Sequence, residues 1–124
     1  MLVRSYLCWQ ISLVDEIMEK EIEQIDFAKG DGIVPVIVQD ANSKQVLTLA
    51  YTNKESLELT KKTGNSWFWS RSRNKLWMKG EESGNTQKVK EILVDCDSDA
   101  LIYLVEPSGP ACHTGEDTCF HNNM

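Results

Sequence analysis

The feature that most constrains this chain is a concentration of metal-binding side chains near its C-terminal end. Three carboxylates at alternate positions, three thiols and a histidine lie between residues 95 and 119: Asp95, Asp97, Asp99, Cys96, Cys112, Cys119 and His113. Carboxylate oxygens suit hard cations such as Mg²⁺, whereas thiolates suit Zn²⁺. The chain must fold so that these groups can share ions, and the pattern indicates a metal-dependent hydrolase.

Length and composition limit the classes of protein that this chain can represent. Its 124 residues predict one domain, and 41% hydrophobic with 26% charged residues argues against disorder. No run approaches the roughly 18 apolar residues that a membrane-spanning helix needs. The first 14 residues lead into Asp15 and Glu16 rather than a cleavage site, so we expect no signal peptide and a cytoplasmic protein.

The charge is unevenly distributed along the chain. A net charge of −6 argues against nonspecific binding to nucleic acid. Residues 71–90 nevertheless hold six bases against two acids: Arg71, Arg73, Lys75, Lys79, Lys88 and Lys90 against Glu81 and Glu82. This stretch favours a small anionic ligand, and the alternative is an ordinary solvated basic face.

Hydrophobic periodicity predicts an α+β fold with a mostly antiparallel sheet and two helices. The predicted strands are residues 34–39, 46–51, 66–70, 76–78, 89–94 and 100–105, the first two forming a hairpin. Ile11, Val14, Met18, Ile22 and Ile25 at helical spacing predict an amphipathic helix over 11–25. A second helix is expected from the cap at Asn53 to residue 62, before Gly64. We therefore divide the chain into a helical extension, residues 1–26, and one domain, residues 27–124.

The alternation of Asp95, Asp97 and Asp99 predicts a site for a hard cation. If the backbone there is extended, these side chains project to one face and Cys96 projects to the other. The alternative is a solvated acidic turn. An EF-hand loop is excluded, because Ala100 stands where that loop needs glycine and the flanking residues predict strands.

The thiols predict a zinc site of unusual spacing. Cys112 and Cys119 lie seven residues apart and Cys96 precedes Cys112 by sixteen, so no zinc ribbon is present. Three thiolates can leave one position open for water, with His113 free as a base. Alternatively, His113 or His121 can close the site as a fourth ligand. The spacing leaves both possibilities open, and Cys8, in an apolar context, is expected to be a small buried side chain.

The aromatic and basic residues between 67 and 87 predict the substrate-binding segment. Arginine offers a bidentate contact to phosphate, and tryptophan offers a face for base stacking. The candidates for substrate contacts are Arg71, Arg73, Lys75, Trp77, Lys79, Ser83 and Asn85. The alternatives are a tryptophan that belongs to the core and a plain polar loop.

Seven segments of the chain together resemble one enzyme family. They are Gly32-Ile33-Val34-Pro35, Leu49-Ala50-Tyr51-Thr52-Asn53, Ser70-Arg71-Ser72-Arg73, Lys79-Gly80-Glu81, Ser83-Gly84-Asn85, Asp95-Cys96-Asp97 and Ala111-Cys112-His113-Thr114-Gly115. Their order and spacing resemble phosphoribosyl-AMP cyclohydrolase of histidine biosynthesis, in its monofunctional form, over residues 27–120.

The resemblance implies a reaction and an assembly. The reaction is hydrolysis of the N1–C6 bond of the adenine ring of phosphoribosyl-AMP, which gives the formimino-carboxamide ribonucleotide. The resemblance implies an intertwined homodimer in which Cys112 and Cys119 hold one Zn²⁺ per subunit together with Cys96 of the partner subunit. It also implies that Asp95, Asp97 and Asp99 bind Mg²⁺, and that His113 is the base for a zinc-activated water.

Two other functions fit part of the pattern. A zinc-dependent deaminase shares the electrophilic C6, but its His-x-Glu and Pro-Cys-x-x-Cys signature is missing. A zinc-stabilised binding module without catalysis requires a zinc fully coordinated by protein, and its domain should unfold on chelation.

Overall fold

The chain forms a four-stranded sheet with a helix and a two-stranded hairpin packed on one side. The structure, a computed structural model, describes residues 21–124. The strands are β1 Val34–Asp40, β2 Val46–Thr52, β3 Trp67–Ser70, β4 Lys75–Met78, β5 Gln87–Val94 and β6 Leu101–Pro107, and the helix is α1 Lys54–Thr63. Two short 3-10 turns, Ile22–Gln24 and Ala28–Gly30, precede β1.

The strand order of the main sheet is β2-β1-β6-β5, and β3 pairs with β4 in a separate hairpin. All pairs are antiparallel except β1 with β6, in which Val36 lies opposite Leu101. The predicted α+β class with a mostly antiparallel sheet is therefore confirmed. The tight β5–β6 connection places residues 95–100 at one end of the sheet, between Val94 and Leu101.

The core lies between the main sheet and the layer formed by α1 and β3–β4. Val36, Val38, Tyr103 and Val105 are fully buried on the inner face of the sheet. Phe68 of β3 packs on Tyr103 with ring centroids 5.9 Å apart. Along β1, the buried Val34, Val36 and Val38 alternate with more exposed positions, as expected for a sheet with one covered face.

Helix α1 begins and ends where its sequence predicts. The Asn53 side chain accepts from the Ser56 N–H at 2.8 Å, and the Ser56 hydroxyl accepts from the Asn53 N–H. Gly64 ends the helix in a left-handed conformation with φ 80°. Leu57 and Thr60 face the core, so the helix is held both by its cap and by one buried side.

Of the two predicted helices, α1 lies wholly within the described residues. The structure describes one α-helix between residues 21 and 124, where two helices were predicted. The first predicted helix, over 11–25, lies mainly outside the described residues. Its last part is wrong as an α-helix, because Ile22–Gln24 form a 3-10 turn and Ile25 is extended. Ile25 is buried in the core, which sets the backbone path there.

The outer face of the sheet carries an apolar row that crosses all four strands. Leu49 lies opposite Ile37, Ile37 opposite Ile102, and Ile102 opposite Leu93. Leu49 is 48% exposed, and Ile37 and Leu93 are each 39% exposed. A solvated sheet face ordinarily carries polar side chains at such positions. We call these four residues the outer apolar row.

Within the described residues, no helix is both long enough and apolar enough to cross a bilayer.

Candidate active site

The acidic residues of the β5–β6 connection converge in a tight turn. One ligand oxygen from each of Asp95, Asp97 and Asp99 lies within 4.8 Å of the others. The Asp95 carboxylate accepts from the backbone N–H of Asp99 at 2.9 Å, and the Ser98 N–H donates to the Asp95 carbonyl at 3.1 Å. Ser98 adopts a left-handed φ of 59°, which reverses the chain. The three carboxylates are therefore held close together on one short loop, in a group that can hold one hard cation.

The backbone across the three aspartates is not extended, so the condition for strand-like alternation is not met. Residues 95–100 form a turn, so the carboxylates converge through the reversal at Ser98 and not through strand alternation. The regular strand pairing ends at Val94 and Leu101, and one further backbone hydrogen bond, from the Asp95 N–H to the Ala100 carbonyl at 3.1 Å, closes the turn. The strands predicted on either side, which excluded an EF-hand loop, are confirmed.

The C-terminal loop that carries the other thiols is fixed to the start of β2. The Thr118 hydroxyl donates to the carbonyl of Val46 at 2.7 Å, and the Cys119 N–H donates to the carbonyl of Leu47 at 2.8 Å. The Cys112 N–H donates to the Glu116 carbonyl at 3.1 Å and closes a turn within the loop. The loop therefore has a defined path although it has no regular secondary structure.

The thiol of Cys112 is surrounded by groups that favour its anion. The Thr114 hydroxyl donates to the Cys112 sulfur at 3.1 Å, and His121 Nε2 lies 3.9 Å from the same sulfur. Hydrogen bonds from the Thr114 side chain and backbone are the main cause that lowers the pKa of Cys112 to about 6, with smaller contributions from His121 and Cys119. The lowered pKa favours the thiolate of Cys112, which is the form that binds zinc.

The remaining predicted zinc residues lie in different surroundings. Cys96 and Cys119 are exposed, and all three thiols are free of disulfides. Among residues 21–124, the three aspartates are the only group of three or more acidic, His or Cys side chains with ligand atoms within 4.8 Å. Cys96, Cys112 and Cys119 thus form no such group within one chain of the described part. His113 is exposed in the turn after Cys112.

The basic segment around β3 and β4 is partly engaged with neighbouring side chains. Arg71 Cζ lies 3.9 Å from the centroid of the Tyr51 ring, which is cation–π distance. Arg73 and Lys75 are exposed, and the Arg73 N–H donates to the Ser70 hydroxyl at 3.1 Å. Arg71 is therefore the one arginine of this pair that the structure holds in a defined position.

Trp77 and Lys79 belong to the strand end that covers the core. The Trp77 ring packs on Phe68 with centroids 5.0 Å apart, and it is only partly exposed. The Lys79 N–H donates to the Ser66 carbonyl at 3.0 Å. Part of the Trp77 ring is used in this packing, and the remainder is exposed.

The loop between β4 and β5 folds back on itself and touches the C-terminal loop. The Ser83 hydroxyl accepts from the Asn85 N–H at 3.2 Å. A Cβ on Gly109 would lie 2.3 Å from Asn85 Oδ1, so the Asn85 side chain rests directly on the Gly109 backbone. Thr86 and Ser108 join the same two loops through their hydroxyls at 2.8 Å. Asn85, predicted to contact substrate, therefore sits where the β4–β5 loop meets the C-terminal loop.

Four residues near these groups carried no role in the sequence interpretation, or only an alternative one. Tyr51 holds Arg71, Thr114 bonds the Cys112 sulfur, and Lys29 donates to Asp99 at 2.7 Å. His121, considered only as a fourth zinc ligand, lies closest to Cys112. Thr114 was detectable as a hydroxyl two residues after a thiol, whereas Lys29 lies 70 residues from its partner and gave no local signal.

Comparison with known proteins gives one consistent family. A family model described as phosphoribosyl-AMP cyclohydrolase matches residues 48–121. The phosphoribosyl-AMP cyclohydrolase of Nitrosopumilus maritimus is 78% identical over 107 residues, covering 86% of this chain and 99% of that protein. The protein of the same name from Clostridium botulinum strain 657 is 54% identical over 107 residues, covering 86% and 97%. The histidine biosynthesis bifunctional protein HisIE of Bacillus subtilis is 63% identical over 101 residues, covering 82% and 48%.

Proposed function

Because this chain belongs to the phosphoribosyl-AMP cyclohydrolase family, we propose that it catalyses the cyclohydrolase step of histidine biosynthesis. The substrate is phosphoribosyl-AMP, and the bond that breaks is N1–C6 of its adenine ring. The observation that carries the proposal is the match of residues 48–121 to the family model, together with 78% identity over 107 residues to the cyclohydrolase of Nitrosopumilus maritimus. As the thiols are free, we place the enzyme in the reducing cytoplasm.

Zinc is the cofactor that the thiols fit. Cys112 and Cys119 lie on one anchored loop, and the lowered pKa of Cys112 favours its thiolate. Cys96 is exposed on the acidic turn and is thus accessible to a second chain. We assign Cys112, Cys119 and Cys96 of the partner subunit as the ligands of one zinc per subunit. Zinc in such a site supplies Lewis acidity and makes water a stronger acid.

Magnesium is the cation that the acidic turn fits. The three carboxylate oxygens within 4.8 Å of one another match the preference of Mg²⁺ for oxygen ligands. We assign Asp95, Asp97 and Asp99 as its ligands. Mg²⁺ held there would offset the mutual repulsion of the three carboxylates and would supply positive charge for the substrate phosphates.

The chain's own residues supply binding and proton transfer. Arg71, held on Tyr51, binds a substrate phosphate, and Arg73, Lys75 and Lys79 provide further positive charge along the same hairpin. Trp77, Ser83 and Asn85 contact the base or ribose at the junction of the loops. His113 takes a proton from the water that attacks C6, and the ring opens as N1 receives a proton.

A homodimer completes the proposal. The outer apolar row leaves four aliphatic side chains on a sheet face, and such a face is stable when a second subunit covers it. Burying this face also gives a reason for Cys96 to act from the partner subunit. Substitution of Ile37 by Lys should convert a dimer to monomers in light scattering, and an unchanged mass would contradict the assignment of this face.

Turnover is the first test. Purified protein with Mg²⁺ and one equivalent of zinc per chain should open the ring of phosphoribosyl-AMP, which ultraviolet absorbance follows. Turnover should stop on chelation and return with zinc. A folded, zinc-loaded protein without turnover would instead support the binding-module alternative.

A shared zinc site has a distinctive genetic test. The variants Cys96→Ser and Cys112→Ser should each be inactive alone. When the two variants are mixed and exchange subunits, about half of the dimers contain one chain of each kind. Each such dimer has one intact site out of two, so activity should return to about one quarter of wild type. If all ligands come from one chain, mixing restores nothing.

The two histidines near the thiols can be told apart by their effects. His113→Ala should lower kcat by about 10²–10⁴-fold with zinc content unchanged, as expected for loss of a general base. His121, which lies 3.9 Å from the Cys112 sulfur, is the matched comparison. If His121→Ala alone lowers zinc content, His121 closes the site as a fourth ligand and the open site is wrong.

A further inference from the structure

A lysine distant in sequence reaches the acidic turn. Lys29 Nζ lies 2.7 Å from Asp99 Oδ2 and donates a hydrogen bond to it. The hydrogen bond to Asp99 and the negative charges of Asp99, Asp97 and Asp26 raise the pKa of Lys29. The ammonium therefore lies within the field of the same carboxylates that were assigned to a cation.

The position of Lys29 is fixed by the backbone around it. Lys29 lies in the 3-10 turn Ala28–Gly30, and its N–H donates to Asp26 Oδ1 at 3.1 Å. The Asp26 N–H donates in turn to the Ser98 carbonyl at 2.7 Å. Two links therefore join residues 26–29 to the acidic turn, one through the backbone at Ser98 and one through the side chain at Asp99.

This arrangement balances charge in a specific way. Three carboxylates on one short turn repel one another, and the ammonium offsets part of that repulsion. A divalent cation that binds all three carboxylates must take the Asp99 oxygens from the ammonium or share them with it. Two like charges then lie close together, which opposes metal binding.

We propose that Lys29 is a built-in counter-cation of the acidic turn, which holds the carboxylates together without metal and lowers their affinity for Mg²⁺. This inference rests on the proposed magnesium site. It makes the metal site exchangeable, since the bound ion always competes with a charge that is part of the chain. The ligand concerned is a hard divalent cation with oxygen ligands.

Removing the charge of Lys29 should therefore tighten metal binding. For Lys29→Met, which keeps the length of the side chain, we expect the dissociation constant of Mg²⁺ to fall by about three- to tenfold, a modest effect because the pair is solvent-exposed. Lys29→Arg keeps the charge and should bind like wild type. The difference should shrink as salt is raised.

The experiment is a calorimetric titration of zinc-loaded protein with Mg²⁺, with Mn²⁺ binding followed by electron paramagnetic resonance as a second readout. Lys62→Met, which removes an equal charge on α1, is the matched control and should leave the affinity unchanged. Thermal unfolding without Mg²⁺ should show Lys29→Met less stable than Lys29→Arg.

The outcomes separate the two proposals. Wild-type protein that does not bind Mg²⁺ overturns the magnesium site, and the role of Lys29 falls with it. Wild-type binding with an unchanged or weaker affinity in Lys29→Met overturns only the role of Lys29. If Lys29 only supports the structure of the turn, its loss should disorder the ligands and weaken the affinity for Mg²⁺. Tighter binding in Lys29→Met alone supports the counter-cation.

Discussion

Gly80 gives the sharpest test of how the loop between β4 and β5 is built. Its φ is 83°, and a Cβ placed on it would lie 2.5 Å from both Asn85 C and Thr86 N. Real Cβ atoms do not approach backbone so closely, so Gly80→Ala must push the loop apart. Gly84, in the same loop, has φ 82° and no atom within 4 Å of such a Cβ. The two glycines share a backbone conformation and differ only in the space around them.

The expected magnitudes follow from these two terms. A non-glycine residue in the left-handed region costs about 1 kcal/mol, which applies to both variants. Overpacking against backbone costs about 1–3 kcal/mol more, and it applies only at Gly80. We therefore expect Gly84→Ala to lower the free energy of unfolding by about 1 kcal/mol and Gly80→Ala to lower it by about 2–4 kcal/mol.

Urea unfolding of wild type and both variants measures the difference. The midpoint should shift further for Gly80→Ala while the slope stays constant, since the unfolded chain exposes the same surface. Gly80→Ala should also raise KM for phosphoribosyl-AMP, because the displaced atoms belong to Asn85. Equal destabilisation by the two variants would refute the close approach, and the loop would then be more open than described.

Three further changes test separate features. Tyr51→Leu should raise KM about three- to tenfold with a smaller effect on kcat, because Arg71 loses the ring that holds it. Tyr51→Phe keeps the ring and should leave KM unchanged, so equal KM values for the two variants would refute the role of the ring. Tyr103→Phe should keep or raise stability by up to about 1 kcal/mol, since Thr52 and Thr60 influence the buried hydroxyl without an ordinary hydrogen bond to it. Burial raises the pKa of Tyr103. Above about pH 10 the unfolded state therefore loses this proton first, and the stability of the wild type falls as pH rises. Tyr103→Phe should lose less stability over that range, and its destabilisation at pH 7 by more than about 1 kcal/mol would contradict the prediction. Asn53→Ala should lower the free energy of unfolding by about 1 kcal/mol while Asn53→Asp keeps most of the cap, and urea midpoints that do not separate them would argue against it.

Local pattern was sufficient for most of the secondary structure. The strands, the hairpin β1–β2 and helix α1 all lie within two residues of their predicted bounds, because alternation and capping are properties of neighbouring residues. The exception is Ile22–Gln24, where helical spacing of apolar residues coincides with a 3-10 turn. Burial of Ile25 in the core decides the conformation there, and that contact is not encoded locally.

The candidate site was predictable in its residue types but less so in its geometry. Asp95, Asp97 and Asp99 were singled out as cation ligands, which stays a prediction. Their convergence through a turn was not expected, because a left-handed Ser98 carries no strong sequence signal. The contacts of Lys29 with Asp99 and of Tyr51 with Arg71 depend on how distant segments meet. Sequence periodicity carries no information about contacts between distant segments, so only the three-dimensional structure reveals them.

The anchoring of the C-terminal loop, which carries Cys112 and Cys119, also shields a sheet edge from pairing with strands of other chains. Strand β2 lies at the edge of the sheet, and an unpaired edge invites strand addition and aggregation. Thr118 and Cys119 occupy the carbonyls of Val46 and Leu47, so the loop closes the beginning of that edge. A chain whose loop detaches therefore exposes backbone acceptors a few residues from Leu49, which is itself 48% exposed. Solubility of this enzyme is thus tied to the same segment that carries Cys112 and Cys119.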